Sequence, residues 1–77
     1  MNIQVRLFGS LVDLIGKSNV MVSDCQNTES LKEKLIGEYP GLKNCEFVIS
    51  VDKKVVKKNV VLEQGSEVAV LPPFAGG

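Results

Sequence analysis

The chain has 77 residues, with nine basic and nine acidic side chains, so its formal net charge at neutral pH is zero. This length predicts one domain built on a single small core. The balanced charge argues against a nucleic-acid partner, since nucleic-acid binding needs a basic stripe. The sequence contains no histidine, which removes the commonest general base and a usual zinc ligand. We therefore expect no metal site and no catalysis by this chain alone.

The sequence also bears on where the protein works. No apolar run approaches the roughly 20 residues that span a bilayer, and the first residues lack the basic and then apolar pattern of a secretory signal. We therefore expect a cytoplasmic protein with no membrane partner. Cys25 and Cys45 are expected to be reduced thiols with an incidental or structural role.

The first third of the chain predicts two strands joined by a short helix. Apolar and polar residues alternate over residues 2–8, which predicts a half-buried strand with Phe8 on its outward face. Ser10 is the predicted N-cap of a helix over residues 11–15. Residues 19–23 predict a second strand, antiparallel to the first.

The middle of the chain predicts the main helix. Thr28 is the predicted N-cap, and Glu29 in the first turn suits the positive end of the helix dipole. The residue before Pro40 is driven out of the helical region, so the helix must end there. The residues expected on its apolar stripe are Leu31, Leu35, Ile36 and Tyr39.

The remaining residues predict three strands. Residues 47–51 form the third strand, and residues 55–56 return from a turn as a short fourth strand. The apolar residues of segment 60–62 are expected to enter the core. The last strand covers residues 67–71, and its alternation places Leu71 outward.

The predicted elements follow the order of the β-grasp fold, the α+β roll of ubiquitin: strand, short helix, strand, long helix and three strands. It predicts a mixed sheet of about five strands, with one main helix and a short helix after the first strand. The first and last strands are the most apolar, so we expect them to lie parallel in the middle of the sheet.

The chain ends in a segment that differs from the domain before it. We expect a β-grasp domain over residues 1–71 and a flexible arm over residues 72–77. Prolines cannot donate to a strand ladder, and glycines can enter a slot that excludes side chains. Six residues reach at most about 20 Å. The arm consists of Pro72, Pro73, Phe74, Ala75, Gly76 and Gly77.

The order of elements and two sequence stretches support a family resemblance. One stretch is Leu7-Phe8-Gly9-Ser10-Leu11, with a helix that closes on Gly16, and the other runs from Val68 through Leu71-Pro72-Pro73 to Gly76-Gly77. Over its whole length the chain resembles the small, sulfur-carrying subunit of molybdopterin synthase. That family usually has an Arg-Glu-like pair where Val12-Asp13 stands here, and commonly a smaller residue than Phe74.

The resemblance implies a chemistry for Gly77. An ATP-dependent adenylating enzyme of the ubiquitin-activating type adenylates the terminal carboxylate. A sulfur donor protein then displaces AMP and leaves a thiocarboxylate. The large synthase subunit, in a heterotetramer of two small and two large chains, receives the tail, and two sulfur transfers to a pterin precursor build the dithiolene of the molybdenum cofactor. No cofactor is expected to stay bound to the chain itself.

Three other functions are compatible with the sequence. The carrier for thiamine thiazole synthesis shares the fold and the Gly-Gly end, but lacks the Pro-Pro pair and the short helix after the first strand. A ubiquitin-like modifier would join Gly77 to lysines of other proteins. A plain β-grasp binding module would use neither glycine.

A partner-binding surface is predicted where the tail leaves the domain. If the first and last strands are parallel neighbours, their C-terminal ends lie together, and Phe8 and Leu71 both point outward. We call these two residues the exit patch. An exposed apolar patch on a small domain marks a binding surface, and its position lets one partner hold both the domain and the arm.

Overall fold

The computed structural model describes residues 2–73 and contains a five-stranded mixed sheet with the strand order β2-β1-β5-β3-β4. The elements are β1 (Asn2–Leu7), α1 (Ser10–Ile15), β2 (Asn19–Ser23), α2 (Thr28–Glu38), a 3-10 helix (Pro40–Asn44), β3 (Val48–Val51), β4 (Lys54–Val56) and β5 (Val68–Leu71). β1 pairs antiparallel with β2 and parallel with β5. The predicted β-grasp fold and its two central parallel strands are confirmed.

The core lies between one face of the sheet and α2. The inward residues of β1, Ile3, Val5 and Leu7, are at most 3% exposed. They belong to the same buried cluster as Leu31 and Leu35 of α2, which lie one helical turn apart and therefore on one helix face. Truncating Ile3, Leu7, Leu31 or Leu35 to alanine costs about 2–5 kcal/mol, because the close-packed core cannot fill the cavity.

The start of α1 differs from its prediction. Ser10 is the first helical residue and not the cap; Gly9 occupies the N-cap position and makes no side-chain cap hydrogen bond. The end of α1 is as predicted, because Gly16 has left-handed backbone angles and donates its N–H to the Val12 carbonyl at 2.7 Å. The short helix is thus fixed mainly at its C-terminal end.

The start of α2 also differs, by one residue. Asn27 is the N-cap: its Oδ1 accepts the Ser30 backbone N–H at 2.8 Å, and the Ser30 hydroxyl accepts the Asn27 N–H at 3.4 Å. Thr28 is buried, and its hydroxyl accepts the Val60 N–H at 2.9 Å. The predicted cap residue therefore ties the helix start to a distant segment instead of capping it.

Only part of segment 60–62 enters the core. Leu62 is 2% exposed, whereas Val61 is 75% exposed. Leu62 donates its N–H to the Gln26 carbonyl at 2.8 Å, so the segment lies extended along the loop before α2. Neighbouring side chains of extended backbone point to opposite sides, and the predicted burial of Val61 is therefore wrong.

The 3-10 helix after α2 was not predicted. Tyr39 ends α2, as expected from the proline that follows it, and Pro40 then starts the new turn. Leu42 on this turn is 1% exposed. The turn therefore closes one end of the core that the main helix leaves open.

Candidate functional site

The tail leaves the domain from the centre of the sheet. In the parallel pair of β1 and β5, Leu7 lies opposite Val70, and Phe8 donates its N–H to the Val70 carbonyl at 3.2 Å. The C-terminal ends of the two central strands therefore lie side by side at the same end of the sheet. β5 ends at Leu71, and Pro73 is the last described residue.

The first residue of the tail packs on the domain. Pro72 is half-buried and lies against Gly9. Gly9 has a φ of +61°, and a Cβ built on it would stand only 2.9 Å from Cγ of Pro72. Glycine is needed here for its backbone conformation and for the close passage of the proline ring.

Most of the predicted site lies beyond this point. Phe74, Ala75, Gly76 and Gly77 are outside the described residues, and the flexible arm and the role of Gly77 stay predictions. The predicted boundary between domain and arm lies after residue 71. Pro72, the first residue of the arm, nevertheless contacts the folded domain at Gly9.

The structure brings the two residues of the exit patch together. Phe8 is 41% exposed and Leu71 is half-buried, and both line one shallow concavity of about 230 Å³ on the sheet face opposite α2. The other residues that line it are Arg6, Ser50, Lys53, Glu67, Val68 and Ala69. An apolar floor with charged side chains at its rim is the common anatomy of a protein-binding surface.

The aromatic ring in this concavity is held by a neighbouring cation. The guanidinium carbon of Arg6 lies 5.7 Å from the centroid of the Phe8 ring. Arg6 is on the outward face of β1, and Phe8 follows two positions later, directly after the strand ends. This cation–π contact restricts the ring before any partner binds, so less side-chain entropy is lost on binding.

A third exposed apolar residue extends the same face. Val55 of β4 is 51% exposed, and it lies opposite Ser50 in the β3–β4 pairing. Ser50 in turn lies opposite Ala69 of β5, so all three side chains share the outer face. Val55 was not among the predicted surface residues, although counting strand parity through the two-residue turn at Asp52 places it outward.

The chemical groups of the described chain are few. Within residues 2–73 no three His, Cys, Asp or Glu side chains gather closely enough to hold a metal ion. Cys25 is fully buried and Cys45 is exposed, and both are free thiols. Burial raises the pKa of the Cys25 thiol, although the nearby Lys34 ammonium opposes the rise. A buried thiol of this kind is unreactive.

None of the helices in the described part has the length and apolarity to cross a membrane.

Comparisons with known proteins add three similarities. The model of the ThiS family matches residues 5–77. A protein of Caenorhabditis briggsae named molybdopterin synthase sulfur carrier subunit is 32% identical over 82 residues, which cover 99% of this chain and 98% of the relative. In Helicobacter pylori, a solved complex of subunits 1 and 2 of molybdopterin-converting factor contains a chain that is 26% identical, with a TM-score of 0.72 and full coverage of both chains.

A further solved structure is similar in fold alone. SAMP1 of Haloferax volcanii superposes with a TM-score of 0.83 over 100% of both chains, at 19% sequence identity. The fold is therefore kept at a level of identity that carries no information about function.

Proposed function

We propose that this chain, which belongs to the ThiS family, is the sulfur-carrying small subunit of a molybdopterin synthase and works in the cytoplasm. The observation that carries the proposal is the similarity to the C. briggsae sulfur carrier subunit, which extends over 99% of this chain. The pairing of β1 with β5 supports it, because the tail leaves the domain beside the exit patch. In this role the chain is a carrier protein and not a catalyst.

The proposed chemistry takes place at Gly77. A terminal carboxylate has a pKa of about 3.3–3.7, so at neutral pH it is an anion and a poor electrophile. An adenylating enzyme activates it: a carboxylate oxygen attacks the α-phosphorus of ATP, and pyrophosphate leaves. Hydrosulfide supplied by a sulfur donor then attacks the carbonyl carbon, AMP and the proton of the hydrosulfide leave, and a thiocarboxylate remains.

The folded domain has the task of delivering this group. The four residues 74–77 reach at most about 14 Å beyond Pro73, so the domain must dock close to the pocket that receives the tail. The exit patch surrounds the point of departure, and Val55 extends the apolar surface across the sheet. Docked there, the large subunit would take sulfur from two successive loaded tails, in an assembly of two small and two large chains.

Reconstitution tests the proposal. The purified chain is incubated with an adenylating enzyme, ATP and sulfide, repurified, and mixed with the large subunit and the pterin precursor. Only the loaded chain is expected to yield dithiolene, and two loaded carriers are expected to be consumed for each dithiolene formed. A variant that lacks Gly77 serves as the control. A loaded chain that transfers no sulfur to the pterin would contradict this function and favour the thiamine-type carrier. Lysine conjugates in place of loading would favour a modifier, and a chain that neither loads nor conjugates would be a plain binding module.

A further inference from the structure

A second concave surface lies where β3 is covered by α2, whereas the exit patch lies on the opposite face of the sheet. Two adjoining cavities, of about 380 and 500 Å³, share Lys32, Phe47 and Val48 in their walls. One extends to Asn59 beyond β4, and the other extends to Pro73 at the base of the tail. Because they share Lys32, Phe47 and Val48, we describe the two cavities together as the basic groove, which lies between α2 and β3.

The floor of the basic groove is apolar and its rim is cationic. Phe47 and Val56 are half-buried along the floor. Exposed lysines stand where the two cavities meet (Lys32) and towards the two ends (Lys43, Lys57 and Lys58), against the two acidic residues Glu29 and Glu46. This local excess of positive charge is found on a chain whose net charge is zero, so the groove attracts an anionic partner.

One of these cations is already fixed over the floor. The Lys32 ammonium lies 5.6 Å from the centroid of the Phe47 ring. A charge held beside an aromatic face is suited to a ligand that carries a carboxylate next to an apolar side chain.

The nearby start of α2 supplies no free anion site. The N–H of Glu29 donates to Asn59 Oδ1 at 2.9 Å, and the N–H of Ser30 donates to Asn27 Oδ1 at 2.8 Å. The Thr28 N–H donates to the Val60 carbonyl at 2.9 Å. A compact anion such as phosphate would find no backbone donors in this turn, and the available donors are lysine ammoniums spread along the groove.

We propose that the basic groove binds an extended peptide segment of a partner protein, in which acidic residues alternate with aliphatic ones. The aliphatic side chains pack on Phe47 and Val56. The carboxylates alternate to the solvent side of the peptide, where the long side chains of the rim lysines reach them. Because the groove reaches Pro73, a partner that holds the tail can place such a segment there at the same time. Binding requires neither Gly77 nor sulfur, so it can be measured apart from the carrier function.

The test is a nuclear magnetic resonance titration of the full chain, labelled with nitrogen-15. The probe is the blocked peptide Asp-Val-Glu-Ile-Asp-Val. The amide shifts are expected to be confined to the groove residues, with Lys32, Phe47 and Lys57 among them. A rise in salt from about 50 to 500 mM is expected to weaken binding at least tenfold, since exposed charges are screened. The proposal would be overturned if no amide shifted with up to about 5 mM peptide, a generous limit for a weak interface. Shifts scattered over all lysines would overturn it as well.

Two matched substitutions and three further probes sharpen the result. Lys57→Glu is expected to weaken binding at least about tenfold, whereas Lys17→Glu, the same charge change on an exposed lysine outside the groove, is expected to leave it unchanged. Both spectra must show a folded protein. Equal binding of the Asn/Gln version of the peptide would refute the role of charge, and equal binding of oligo-aspartate would refute the role of the apolar floor. The same shifts with inorganic phosphate alone would mean a simple anion site.

Discussion

Phe8→Ala is the substitution that tests the proposed docking surface most sharply. Phe8 is 41% exposed, so a partner that covers it removes about 80 Å² of a side chain of roughly 200 Å² from water. At about 25 cal/mol per Å² this is worth about 2 kcal/mol, or a roughly thirtyfold weaker complex with the large synthase subunit. Leu71→Ala is expected to weaken it by about 1–3 kcal/mol as well, as for an aliphatic anchor.

The assay is calorimetric titration of each variant with the large subunit, together with urea unfolding of the free chain. Both substitutions are expected to lower the free energy of unfolding by much less than the ~2–5 kcal/mol of a core truncation. Val61→Ala is the control, because Val61 is 75% exposed but lies on the segment beside α2. Unchanged affinity of the Phe8 variant, or an equal loss with Val61→Ala, would refute docking at the exit patch.

Three other predictions concern the tail, the glycine beneath it and the buried thiol. Deleting Gly77 is expected to abolish sulfur transfer and leave the urea midpoint unchanged; a loss of several kcal/mol would mean that the end of the arm also packs on the domain. Gly9→Ala is expected to lower the free energy of unfolding by about 1–3 kcal/mol, because of backbone strain and the contact with Pro72. The control is Gly37→Ala, in open space on α2, which is expected to raise the free energy of unfolding by up to about 1 kcal/mol. Equal effects of the two substitutions in urea melts would show that Pro72 is not held at Gly9. Because burial raises the pKa of Cys25, the folded state keeps its proton while the unfolded thiol ionises above about pH 8.5. The free energy of unfolding is therefore expected to fall above that pH by up to ~1.4 kcal/mol per unit, and a Cys25→Ala variant that fell as steeply would contradict this.

The sheet could be predicted because its signals are local. Alternation over β1 places Phe8 outward whatever the rest of the chain does, and the apolar character of β1 and β5 favours the centre of the sheet. These two inferences were enough to bring Phe8 and Leu71 to one edge. The exit patch therefore followed from residue parity and strand order alone.

The features that were missed depend on contacts between distant residues. Asn27 and Thr28 are both good capping residues, and what distinguishes them is the hydrogen bond from Val60, more than 30 positions away. Val61 looks like core by composition, but its burial is decided by how the segment pairs with the loop before α2. Val55 is the exception, because its outward position depends only on the local register of the β3–β4 hairpin, which a strand of three residues specifies weakly.

The 3-10 helix was missed for a different reason. A proline and a glycine in succession, here Pro40 and Gly41, usually mark a turn and therefore predict only the end of α2. The same proline is also well suited to open a new helical turn, because its φ is already helical. Leu42 then supplies the apolar side chain that makes this turn part of the core.

The central claim is that Gly77 carries sulfur, and the mass of the native protein tests it most directly. The chain is purified from cells that make the cofactor, and its C-terminal peptide is fragmented in a mass spectrometer. Sulfur in place of one carboxylate oxygen adds about 16 mass units, the same increment as one oxidation of methionine or cysteine, so the fragments must locate it. We expect the added mass on Gly77 in a fraction of the molecules, and we expect it to disappear when the adenylating enzyme is removed. A Gly77 that is unmodified in every molecule, or the increment found only on Met1, Met21 or a cysteine, would contradict it.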